Sequence, residues 1–163
     1  NRPALLLLHG DDVAGYELVP SAVEVRAVLV AARGHPDHLW PFGDRAERFV
    51  ASLAEDTAER LVFDGQTNAR QIGALQADPI REHCAAARVR AIVTPEAPVG
   101  PLADGLKRLA LELKGDGIEI VPLRRHWDDL AWPHATHGFF RFRQQIPQLI
   151  AENGLGPNDS RPG

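Results

Sequence analysis

The 163 residues carry 18 Lys and Arg against 22 Asp and Glu, a formal net charge of -4, with 44% hydrophobic and 25% charged side chains. This is the composition of a soluble globular domain that can bury a core without metals or disulfides, and the acidic balance makes a nucleic-acid surface unlikely for this domain alone. The single cysteine, Cys84, excludes an internal disulfide, the longest apolar run, Ala4 to Leu8, is far too short to span a bilayer, and no signal-peptide pattern is present, so no membrane and a cytoplasmic location are expected. The chain contains no methionine and starts at Asn1, so the expectation is either a first residue removed or a chain cut from a longer gene product.

The first predicted element is a strand over Ala4–His9, whose continuous apolar run suits burial on both faces. Val25–Ala32 reads as a second buried strand, with Gly10–Glu24 long enough for a crossover carrying a short helix. Asp44 stands as an N-cap with Glu47 three residues on, opening a helix with Phe49, Val50, Leu53, Thr57 and Leu61 on one stripe. Leu61–Phe63 is the third strand candidate, ending at Asp64-Gly65. Helical pieces follow over Thr67–Gln76 and Pro79–Ala87, the latter with proline in its first turn. Val89–Thr94 is the fourth strand. Pro101–Lys114 is a helix with Leu102, Leu106, Leu109 and Leu113 on one face, stopped by Gly115 and Gly117. Ile118–Leu123 is the fifth strand. A polar stretch, Arg124–His137, leads to a helix from Gly138 with Phe139, Phe142, Ile146 and Leu149, in which Pro147 is expected to kink the helix or start a new one. The alternation predicts an α/β fold: an open, mostly parallel, five-stranded, Rossmann-like sheet with helices on both faces, as one domain over 1–155 and a frayed tail over 156–163.

Open parallel sheets bind ligands outside the carboxyl ends of their strands. In chain order those ends bring His9, Asp11 and Asp12; His35, Asp37 and His38; Asp64; Thr94 and Glu96; and His126, Asp128 and Asp129. Most such groups are ordinary loop residues, polar because loops meet water. The sharper expectation is that two or three of them line one crevice. His35-x-x-His38 and His134-x-x-His137 have metal-compatible spacing, but a structural site needs four ligands and neither pair has a recognisable second pair, so no metal is expected. Cys84 reads as a buried, inert thiol. There is no Walker loop, no G-x-G-x-x-G after the first strand and no G-x-S-x-G elbow. No complete catalytic set is visible.

Val89-Arg-Ala-Ile-Val-Thr-Pro-Glu96, the helix through Leu106, the strand Ile118–Pro122, Asp128-Asp-Leu-Ala-Trp-Pro133 and Gly138-Phe-Phe-Arg-Phe-Arg143 form one order of elements. Over about seventy residues, from Val89 to near Leu155, this order resembles the end of the N-terminal α/β domain of photolyases and cryptochromes. The first strand departs from that family: His9-Gly-Asp-Asp12 stands where an Arg-Asp-Leu-Arg-like element belongs. The resemblance implies a photolyase-like module that holds an antenna chromophore (a folate, flavin or deazaflavin) or a nucleotide-like ligand near the strand ends. The family's flavin-binding catalytic domain does not fit in this length. The resemblance also carries over Glu96 and Asp104 as pocket residues, with Thr94 beside them.

The ligand-binding candidates are therefore His9, Asp11, Asp12, Thr94, Glu96, Asp104 and His126. Two other readings compete. A small hydrolase or nucleotide-handling enzyme would use His9, Asp11 or His126 as acid or base. An interaction subunit would dock a partner domain or a second copy of the chain through residues 138–150.

Overall fold

The structure, a computed structural model, describes residues 2–33, 43–63 and 68–154. Within them the strands are β1 (Arg2–His9), β2 (Val23–Ala31), β3 (Ala69–Ile72), β4 (Ala91–Pro95) and β5 (Glu119–Leu123). Every neighbouring pair is parallel, and the order across the sheet is β3-β2-β1-β4-β5. The expected five-stranded parallel α/β sheet is thus present.

The central strands are buried on both faces where they run apolar without a break, at Ala4–Leu8, Ala27–Ala31 and Ala91–Val93, and strand alternation divides those residues between two cores. Leu5, Leu7 and Leu29 point to one face, where they meet Ile80 and Cys84 of α2 (Ala77–Ala87) and Leu106, Leu109 and Leu113 of α3 (Pro101–Lys114). Leu6, Leu8, Val28 and Val30 point to the other, against Ala54, Ala58 and Leu61 of α1 (Asp44–Phe63). Helices on both faces follow from the winding. From β1 the chain steps outward through β2 to β3, with α1 between those two. It then returns to the other side of β1 for β4 and β5, with α2 and α3 as connections. Crossovers of one hand running in opposite directions must lie on opposite faces.

α3 has the bounds its pattern predicts. Pro101 sits in its first turn, and its three buried leucines recur at helical spacing. Leu109 and Leu113 are completely buried, and truncating either to Ala should cost roughly 2–5 kcal/mol. Past the helix, Gly117 takes φ +69° and lets the Ile118 amide donate to the Leu113 carbonyl, 3.2 Å away.

Four expectations need correction. Leu61–Phe63 is not a strand but the last turn of α1, because the helical stripe through Ala54 and Ala58 continues to Leu61. The third strand is Ala69–Ile72, inside the stretch read as helix; it lies at the sheet edge, where pairing with β2 rather than local pattern makes the strand. Phe49 is 68% exposed and does not join the buried stripe of α1. The Arg124–His137 stretch is not merely polar connection. It forms α4 (His126–Ala131) and a 3₁₀ segment over Trp132–His137.

The chain divides into two compact units, Asn1–Leu123 and Arg124–Gly163. The sheet and its three helices belong to the first. In the second, α5 (Phe139–Glu152) begins after Gly138, at φ +81°, and runs through Pro147. Arg124 pairs with Asp129 at 3.1 Å and lies 4.7 Å from the centre of the Trp132 ring. Phe139 and Phe140 are exposed rather than core residues, their rings edge-on at 5.9 Å. Among the described residues, no helix is long and apolar enough to cross a membrane.

Candidate ligand site at the strand ends

The strand order reverses at β1, whose neighbours are β2 on one side and β4 on the other. After β1 the chain leaves toward β2, and after β4 it leaves toward β5. Open α/β sheets receive ligands at such a reversal; here the β1–β2 connection folds back over the end of β4, with Gly15 against Pro95.

β1 brings His9 there. Its side chain is completely buried, and it follows Leu5 and Leu7 by alternation onto the α2/α3 face. His9 Nε2 lies 2.9 Å from the Pro95 carbonyl, at the end of β4. A carbonyl only accepts, so Nε2 carries the proton, and in the neutral ring Nδ1 presents a lone pair. Nδ1 has no hydrogen-bond partner among the described residues. Thr94, one residue before Pro95, is also buried and follows Ile92 onto the same face. Its Oγ1 has no hydrogen-bond partner among the described residues either. Buried polar atoms are nearly always satisfied. Two exceptions lie on adjacent strands, on one face, at the strand-order reversal, and make this edge the candidate site.

The surrounding geometry is tight. The Asp12 amide donates to the His9 carbonyl at 2.9 Å, folding the chain back directly after β1. A 3₁₀ turn over Gly15–Leu18 follows. Gly15 is buried on Pro95, where an added Cβ would fall 2.0 Å from the proline Cγ. Only glycine permits this approach. The Glu96 amide donates to the Leu123 carbonyl at 2.8 Å, holding the end of β4 to the end of β5.

Of the seven candidates, His9 and Thr94 are buried in the sheet, Asp12 and Glu96 are half-buried on the connections above them, and Asp11 is exposed beside Asp12. Asp104 is exposed in the first turn of α3, where it pairs with Lys107 at 3.3 Å. His126 opens α4 in the second unit, as do Asp128 and Asp129 further along that helix. His35, Asp37, His38 and Asp64 lie outside the described residues. Sequence reasoning missed Gly15 and Pro95. Glycine in Ala14-Gly-Tyr16 was a visible signal for close backbone approach, but its partner lies eighty residues away.

The arrangement offers one acceptor and one hydroxyl in an apolar setting. This suits the polar edge of an uncharged ring. Among the described residues no three His, Cys, Asp or Glu side chains gather to hold a metal. Cys84 is buried in α2, and that burial pushes its thiol up to about 11. No family model, curated protein or solved structure matches this chain.

Proposed function

We propose that this chain is a photolyase-like α/β module that binds a small heteroaromatic ligand at the carboxyl edge of β1 and β4. The observation that carries the reading is the pair of buried, unpartnered polar atoms, His9 Nδ1 and Thr94 Oγ1, on one face at the strand-order reversal. With the Gly15–Leu18 turn displaced from Pro95, a ring N–H donated to Nδ1 and a ring carbonyl or nitrogen paired with the threonine hydroxyl would satisfy both. Folates, flavins and deazaflavins present such edges, and the residue order from Val89 to Arg143 supports this chromophore class. A bound chromophore of this kind would supply absorption in the near-ultraviolet or visible, and the chain would supply orientation and exclusion of water. Asp12 and Glu96, half-buried above the pair, would meet the more polar part of the ligand.

The test is to purify the chain, record its absorption, and identify by mass spectrometry what denaturation releases. A folate, flavin or deazaflavin, or saturable binding of one when added, is the expected result. A colourless protein that binds none of them would overturn the proposal.

A further inference from the structure

The amino edge of the same sheet carries a second cleft, of about 620 Å³, at the far ends of the strands from His9. It is lined by Pro3, Ala85, Val89 and Ala91 and by three arginines, Arg2, Arg88 and Arg90. We infer that this cleft binds an anionic small molecule, with its phosphate or carboxylate held by Arg88 and Arg90 and its apolar body on the aliphatic wall.

Arg88 adopts the left-handed conformation, φ 55° and ψ 47°, as the C-cap of α2, and it is the only non-glycine residue with positive φ among those described. Glycine is the low-energy choice at such a cap, so an arginine here stands against local backbone preference. Strained positions of this kind concentrate at ligand clamps. The Arg88 side chain has no ion-pair or hydrogen-bond partner among the described residues, which leaves its planar fork free for an oxyanion.

Arg90 is held ready by its neighbours. Its Nη1 reaches the Asp116 carbonyl at 3.4 Å and lies over Gly117, where an added Cβ would come within 2.9 Å of that atom. The Asp116 carboxylate does not neutralise it, because Arg81 Nε already holds that group at 2.7 Å. Glu119 pairs with Arg2 at 3.1 Å, so the rim's one carboxylate is matched to one of the three arginines. Two positive charges remain over an apolar wall, in a chain whose net charge is -4. Cys84 lines the cleft, and burial keeps its thiol protonated at neutral pH, so it adds no repelling charge.

The test is a titration of the isotopically labelled chain with phenyl phosphate, followed by amide chemical shifts, with benzyl alcohol as the uncharged comparator. Saturable shifts confined to residues 84–91 and 117–119 are expected, with benzyl alcohol at least about tenfold weaker, the size of a charge-assisted contact. Arg88→Gly removes the guanidinium while relieving the backbone, so the fold is kept, and it should weaken binding by about tenfold; Arg90→Ala should do the same. Shifts that are unsaturable or scattered over the surface would overturn the inference, as would equal binding of benzyl alcohol or unchanged affinity in both variants.

Discussion

Replacing Gly15 with alanine tests the packing that closes the candidate site. The new Cβ would fall 2.0 Å from Pro95 Cγ and 3.1 Å from both Cβ and Cδ of the same ring. The nearest contact is about 1.5–2 Å short of an ordinary carbon–carbon approach, so one partner must move. Pro95 resists: its ring is rigid, it ends a paired strand, and its carbonyl accepts from His9. Overpacking of this size costs about 1–3 kcal/mol, and displacing Pro95 also stretches the His9 hydrogen bond, worth about 1 kcal/mol more. A loss of roughly 3 kcal/mol corresponds to a Tm about 6–12 °C lower in a domain of this size. Chemical denaturation and thermal melts measure it directly. Combining the change with Pro95→Ala, which removes Cγ and Cδ, should recover about 1–2 kcal/mol as coupling between neighbours. A loss under about 0.5 kcal/mol, or additivity with Pro95→Ala, would refute the packing argument.

Three further outcomes follow from particular side chains. Thr94→Val replaces a buried hydroxyl that has no partner among the described residues with a near-isosteric methyl; denaturation should show the ligand-free chain unchanged or up to about 1 kcal/mol more stable, while affinity for the strand-edge ligand falls. Arg88→Gly should stabilise the chain by up to about 1 kcal/mol in the same assay, since glycine takes the left-handed cap without strain. Cys84, pushed up to about 11 by burial, keeps its proton in the folded chain at pH values where the unfolded chain has lost it. Its contribution is therefore complete below the unfolded thiol's range and declines as pH rises toward 11. Cys84→Ala should flatten the alkaline fall by about 3 kcal/mol, and the native thiol should react with a disulfide reagent only on unfolding.

What could be read from the sequence depended on whether the deciding interactions were local. β1 and β2 were legible because the apolar runs Ala4–Leu8 and Ala27–Ala32 have few other uses at that length, and α3 because its leucines recur at helical spacing between a proline and glycines. β3 was not legible. Ala69-Arg-Gln-Ile72 has no strand pattern of its own and takes its conformation from β2. The exposure of Phe49, Phe139 and Phe140 was hidden as well, because apolar spacing says which residues share a face but not what covers it. At the candidate site, His9 and Thr94 were placed correctly at strand ends. Their burial, and the Gly15–Pro95 contact beside them, come from joining segments about eighty residues apart. Arg88 gave no signal, since a left-handed arginine looks like any other in sequence.

The most direct test of the central claim is an amide-shift titration of the chain with a folate, a flavin and a deazaflavin, run in parallel on the wild type and Thr94→Val. At least one of the three should bind saturably, move His9, Gly10, Asp12, Thr94 and Glu96 first, and bind about tenfold more weakly to the variant, as expected for a lost buried hydrogen bond. If none of the three perturbs those residues, or if Thr94→Val binds as tightly as the wild type, the β1–β4 edge is not the ligand site.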